Sequence, residues 1–177
     1  MSGTAIPTIA SENVILRPLR AGDLDAFAAM QANPDVMRYL GTGAARTRDE
    51  TWDAMARMLG HWDLRGYGVF AIEHAASGRF VGRAGILHPL SWPEPELAYA
   101  IDAPFWRQGL ATQACRAILG WVRHTLDLPR LPSFILAENA ASIAVVRRLG
   151  AVRTGDVTIL GLTAQRWQHS PDGAGKG

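Results

Sequence analysis

The chain has 177 residues, 48% of them hydrophobic and 19% charged, a makeup that suits one globular domain and excludes a mainly disordered or collagen-like polymer. Its net charge is +2, and because every cation but Lys176 is arginine, the pI of about 9.1 reflects arginine's persistent protonation; the short pairs Arg46 with Arg48 and Arg147 with Arg148 are no basic tract, so specific nucleic-acid binding is not expected. No apolar run approaches the ~20 residues of a membrane span, the opening MSGTAIPTIAS lacks the basic and apolar parts of a leader, and the single Cys115 has no disulfide partner; a cytoplasmic protein without a membrane partner is expected.

Residues 1–12 are expected to be a flexible N-terminus. Val14 to Leu19 reads as a strand, rich in β-branched residues and closed by Pro18 and the Gly22-Asp23 turn. Leu24, Phe27 and Met30 then recur at helical spacing behind Asp23, and Asn33-Pro34 supplies a cap and a first-turn proline for a short helix carrying Val36, Met37 and Leu40. Thr47-Arg48-Asp49-Glu50 is a capping box, and the spacing puts Trp52, Met55, Leu59 and Trp62 on the inner face of the helix it starts. The period then becomes extended. Tyr67 to Glu73 and Phe80 to Leu87 read as a hairpin turning at Ala75-Ala76-Ser77-Gly78, and a third strand, Leu97 to Ile101, follows the proline-broken loop His88 to Pro95. Near Gly109 a helix opens with Leu110, Ala114, Ala117, Ile118, Trp121 and Val122 as its buried stripe. Pro129 and Pro132 end it before the extended Phe134-Ile135-Leu136. Asn139 caps a last helix with Ile143, Val146 and Leu149 facing inward and Gly150 at its end; Val157 to Leu162 and Ala164 to Trp167 read as terminal strands. The order implies an α/β or α+β layer structure in residues 13–168, without a repeat, followed by a flexible tail over 169–177.

The segment that bears chemistry is Phe105-Trp106-Arg107-Gln108-Gly109-Leu110-Ala111-Thr112, between a strand and a helix. A helix start offers amides without internal partners and the positive end of the peptide dipole, and the small Gly109 and Ala111 let a phosphate approach the backbone. Neither GxxxxGK[ST] nor GxGxxG occurs, so the common nucleotide loops are excluded.

The string ELAYAIDAPFWRQGLATQACRAILGWV resembles the acetyl-coenzyme A signature of the GNAT acetyltransferases, in particular the RimJ/RimL-like branch. NVILRPLRAGDLDAF with NPDVMRYL resembles that branch's opening strand and helices, SGRFVGRAGI its central hairpin, and ENAASIAVVRRLGAVRTG its NxxSxxxxxxLGF segment. The matches run in the family's order from about residue 13 to 155. The resemblance implies the GNAT fold, a single central mixed, mostly antiparallel, twisted sheet flanked by helices, and acetyl-CoA as cosubstrate with no metal. It also implies roles for particular residues. Amides around Arg107, Gln108, Gly109, Leu110, Ala111 and Thr112 would hold the pyrophosphate. The strand ending at Ile101 would pair with the pantetheine arm where strands diverge, and Asn139, also a helix cap, would touch the arm from the other side. Three departures stand out: Arg107 and Ala98 replace glycines common in the branch, and Ala151 replaces a phenylalanine.

Acetyl transfer to an amine needs the amine neutral, so a base or a water relay must take its proton. Glu96, at the start of the cofactor strand and alternating with the small Ala98 and Ala100, is the first candidate; Glu94 and His88 in the adjoining loop are substitutes. Val146 stands where many GNAT enzymes have a tyrosine acid. Ser142 matches the branch's serine and either donates a proton to the thiolate, positions water, or bonds locally in the first helical turn. Cys115 lies on the helix stripe and is expected to pack, and Trp92 to shape the acceptor site. The expected activity is N-acetylation of a primary amine, either a protein N-terminus or a small molecule, by direct attack on the thioester. The alternative is a non-catalytic acyl-CoA-binding sensor or scaffold. A homodimer is possible by family analogy.

Overall fold

The computed structural model describes residues 5–126, 128 and 130–170; Pro129 and the tail from residue 171 onward, both invoked above, lie outside them. Five strands, β1 (Ile9–Ala10), β2 (Val14–Arg17), β3 (Val69–His74), β4 (Phe80–Leu87) and β5 (Glu96–Ile101), form an antiparallel sheet in sequence order. Three more, β6 (Pro132–Ile135), β7 (Val152–Ile159) and β8 (Leu162–Gln168), form a second antiparallel sheet with β8 central. The expected single sheet is therefore divided: β5 packs beside β6, but no ladder joins them. The helices are α1 (Leu24–Ala32), α2 (Pro34–Met37), α3 (Arg48–Arg65), α4 (Leu110–Thr125) and α5 (Ala140–Arg148).

The two faces of the first sheet bury different partners. Strand alternation sends Val14, Leu16, Phe70, Ile72, Val81 and Ile86 into one core with Leu110, Ala114, Cys115, Ile118 and Val122 of α4. Cys115 is fully buried, as expected of a packing residue, and burial pushes its thiol pKa up. On the other face Ala71, Phe80 and Ala100 meet Leu24, Phe27 and Met30 of α1 and Met55 of α3. The glycines of β4 bring backbones close: a Cβ on Gly85 would stand 2.2 Å from the Gly68 carbonyl oxygen.

Three boundaries depart from expectation. The capping box forms, with Glu50 N–H donating to Thr47 Oγ1 and Thr47 N–H to Glu50 Oε2, but α3 is rotated from the expected face. Trp52 and Leu59 are 58% and 37% exposed, and the small Thr51 and Ala54 lie inside with Met55 and Trp62, because α3 packs on α1. The last hairpin is longer than its β-rich core suggests. It turns at Leu160-Gly161, with φ of 51° and 76°, so Leu162 opens β8; a two-residue turn with both central φ positive matches the twist of its strands, but leucine gives no signal of it. Both expected loose ends are partly built in. Ile9 and Ala10 pair with Leu16 and Ile15, and His169 is buried with its amide donating to the Leu131 carbonyl.

Candidate active site

Where the two sheets part, a cavity of about 1000 Å³ opens, floored by β5 and walled by α3, the segment after α2, the loop after β4 and the β7–β8 turn. Glu96, Asn139 and Ser142 share its lining. Ala98 also lines it, whereas Ala100, expected to keep the cleft open, is buried in the core against α1.

Glu96 is 7% exposed, and both carboxylate oxygens are engaged: the Trp92 indole N–H donates to Oε1 at 2.6 Å and the Phe134 amide to Oε2 at 3.2 Å. Desolvation disfavours the anion and pushes its pKa up to about 7, although the two hydrogen bonds and the Arg83 charge pull the other way. A carboxyl so poised exchanges a proton near neutral pH. The two substitutes are differently placed. Glu94 is held by Arg166 through paired contacts of 2.6 and 2.8 Å, outside the cavity lining. His88 lines the cavity, with Nδ1 3.0 Å from the Tyr67 hydroxyl and its amide donating to His61 Nε2, and burial lowers its pKa. Since His61 Nε2 accepts that bond, the His61 proton sits on Nδ1, donating to the Tyr67 carbonyl.

At the start of α5, Asn139 Oδ1 accepts the Ser142 amide at 3.1 Å, which realises the cap. The Ser142 carbonyl accepts the Tyr99 hydroxyl at 3.0 Å, tying α5 to β5 across the parting.

The backbone of β5 supplies the rest. Asp102 N–H donates to Val81 O, and Gly82 stands opposite Ile101, so the alternation of an antiparallel ladder directs the amides and carbonyls of Leu97, Tyr99 and Ile101 away from β4. Ser133 Oγ donates to Leu97 O, and the Trp106 indole N–H donates to Ile101 O, each at 2.7 Å. What faces the parting is therefore the Leu97 and Ile101 amides and the Tyr99 amide and carbonyl; the Ile101 carbonyl, part of the expected pairing edge, is already claimed.

Ile101 and residues 107–112 do not line the cavity. Ile101 ends β5, about 17 Å from Glu96 at 3.3 Å per residue, and residues 107–112 follow it at the turn into α4. Gly109 caps α4 with φ 76°, and Arg107 is also left-handed, with φ 63°. The branch's glycine position thus keeps a glycine-like backbone although an arginine fills it. Arg107, Gln108 and Gly109 are exposed, Ala111 and Thr112 partly so, and Leu110 is buried; the first amides of α4 have no intrahelical acceptors and no capping side chain. The arrangement is a set of uncapped helix-start amides at one end, an unclaimed strand edge along the middle and a buried carboxyl at the other end.

Two features escaped the sequence reading. The Trp92–Glu96 hydrogen bond spans four residues of a proline-broken loop, whose shape no periodicity reports. Arg83 of β4 is 8% exposed, with Nε and Nη1 buried and without hydrogen-bond partners; its only signal is a cation inside the apolar run FVGRAGIL.

Comparison with known proteins bears on this geometry. Residues 13–152 match the family model of the acetyltransferase (GNAT) domain. The uncharacterized N-acetyltransferase YoaA of Bacillus subtilis is 22% identical over 151 residues, which cover 84% of this chain and 85% of that one. A crystal structure of an acetyltransferase from Agrobacterium tumefaciens superposes with a TM-score of 0.84 at 28% identity, covering 94% and 95% of the two chains. The RimL ribosomal L7/L12 α-N-protein acetyltransferase, solved in complex with coenzyme A, shares the fold with a TM-score of 0.78 at 19% identity over 95% and 100%.

Proposed function

The chain belongs to the GNAT acetyltransferase family, and on that premise we propose that it is an N-acetyltransferase in which Glu96 takes the proton of the attacking primary amine. The observation that carries this reading is the buried Glu96 carboxyl, with its pKa raised to about 7, on the lining of the cavity at the parted sheets. The family's cosubstrate, acetyl-coenzyme A, supplies an activated acetyl thioester. The α4 amides from Gly109 to Thr112 would hold its pyrophosphate, with Arg107 and Gln108 beside them. The Tyr99 backbone and the Ile101 amide would pair with the pantetheine arm, and Asn139 would flank it.

An acceptor amine enters mostly as an ammonium ion. Burial in the cavity and the like charges of Arg83 and Arg46 favour its neutral form, and Glu96 accepts the proton through direct contact or one water. The Trp92 and Phe134 donors hold both Glu96 oxygens in place, so the carboxylate meets the amine without reorganising. Ser142, on the first turn of α5, would donate a proton to the departing thiolate or position a water beside it. A thiolate also leaves without an acid.

The test is release of free coenzyme A thiol on mixing the protein with acetyl-coenzyme A and a panel of amines, together with the melting-temperature shift that acetyl-coenzyme A produces. Turnover with at least one amine and a rise in melting temperature are expected. A rise without turnover on any amine would make the chain an acyl-coenzyme A sensor, and no rise would end the reading altogether.

A further inference from the structure

Arg83 has a guanidinium that the fold itself does not use. The side chain is 8% exposed and reaches the cavity, Nε and Nη1 are buried without acceptors, and among the described residues no carboxylate lies within ion-pair distance of it. Desolvation lowers its pKa to about 10, with Arg46 contributing in the same direction, so it remains a cation at neutral pH. A buried cation without a partner is a costly arrangement that an entering anion relieves.

Its position relative to Glu96 narrows what that anion can be. Arg83 stands opposite Ala100, and Glu96, Ala98 and Ala100 alternate on β5, so Arg83 and Glu96 share one face of the sheet on adjacent strands. Each charge is felt by the other. Arg46, Arg57 and Arg65 line the same cavity, and Glu96, the one acidic side chain on its lining among the described residues, is the proposed base.

We propose that the acceptor is a small amine that also carries a carboxylate, an amino-acid-like molecule whose anion is bound by Arg83 while its amine faces Glu96. The proposal rests on the acetyltransferase reading and deepens it. Guanidinium and carboxylate match in a planar two-bond geometry along one edge, Nε with Nη2 or Nη1 with Nη2, so the anion would take one of the vacant donors of Arg83 together with Nη2. Arg83 and Glu96 reach one cavity from the same sheet face, so a single molecule that carries both an amine and a carboxylate can meet the two groups together. A carboxylate near the amine also holds the ammonium's proton, and pairing it with Arg83 removes that hold, which eases transfer to Glu96.

The experiment compares amino acids with their decarboxylated amines and methyl esters as acceptors, in wild type and in Arg83→Gln, by coenzyme A release. Wild type should favour the acids. Arg83→Gln should lower the ratio of kcat/KM for acid over amine about 30-fold or more, the range seen when one partner of a buried charge pair is truncated. In parallel, N-acetyl amino acids are tested as product-like ligands by melting temperature in the presence of coenzyme A; they should stabilise wild type and not Arg83→Gln, and the shift by coenzyme A alone reports whether the variant is folded. Equal use of acids and amines by wild type, an unchanged ratio in the variant, or preference for peptides beginning with Asp or Glu over every free amino acid would overturn the proposal. Stabilisation by N-acetyl amino acids without any turnover would uphold the anion site and refute the acetyltransferase reading instead.

Discussion

Replacing Glu96 by glutamine tests the site through stability and rate at once. The folded carboxyl has a pKa of about 7 against an ordinary 4.5. Its contribution to stability is therefore fully present below pH 4.5 and is lost as pH rises through 7, because the native state holds a proton that the unfolded chain has released. Between pH 5 and pH 8 this amounts to about 2 to 3 kcal/mol, at 1.36 kcal/mol per pKa unit. Glutamine has no such dependence, but its amide nitrogen cannot accept, whereas both oxygens of the protonated carboxyl can, so either the Trp92 or the Phe134 donor loses its partner, at about 1 to 3 kcal/mol. Glu96→Gln should accordingly be the less stable protein at pH 5 and should match or exceed wild type at pH 8. Urea midpoints at several pH values measure this, and the variant-minus-wild-type difference removes every other titrating group. In the same protein kcat/KM should fall about 100-fold or more, as for loss of a general base, and the inflection near pH 7 in the wild-type rate profile should disappear, while the melting-temperature shift by acetyl-coenzyme A persists. A stability difference that stays flat with pH, or a variant that keeps both its rate and the inflection, would refute the reasoning.

Two further outcomes can be stated briefly. Arg107→Gly relieves a left-handed arginine on an exposed turn and should raise the unfolding free energy by up to about 1 kcal/mol; a clear loss would mean that the arginine's contacts outweigh its strain. His169 is buried with its pKa pushed down to about 4, and since Ser133 Oγ donates to Leu97 O it accepts from His169 Nε2–H, leaving Nδ1 without a partner. Its contribution is present above pH 6.5 and is lost as pH falls toward 4, by at most about 3 kcal/mol, opposite in sign to Glu96. His169→Phe should therefore grow more stable, relative to wild type, as the medium is acidified over that range, and a stability difference independent of pH would count against a neutral buried imidazole.

What could be read from the amino acids alone was what local chemistry decides. The Thr47–Glu50 box, the Asn139 cap, the β3–β4 hairpin and the α4 stripe each rest on residues a few positions apart, and each is found. The inner face of α3 was misjudged because size, not hydrophobicity alone, chooses which residues meet α1: Thr51 and Ala54 fit where Trp52 does not. The division of the sheet was not visible to periodicity, since β6 reads as a strand whether or not β5 pairs with it. The same holds for the site. Glu96, Asn139 and Ser142 could be singled out one at a time, but the clamp on Glu96 takes one donor from the loop at Trp92 and one from Phe134, 38 residues on, and only the folded chain brings the vacant Arg83 into the same cavity.

The parting between β5 and β6 leaves a sheet edge inside the molecule, and such edges invite foreign strands and self-association. Here the invitation is short. Ser133 and Trp106 stopper the carbonyls at Leu97 and Ile101, so the vacancy between them is little more than the one at Tyr99, too brief for a stray polypeptide to zip onto and wide enough for a slender guest. Unstoppering either end, by Ser133→Ala or Trp106→Phe, would lengthen that vacancy and trade solubility for a looser fit.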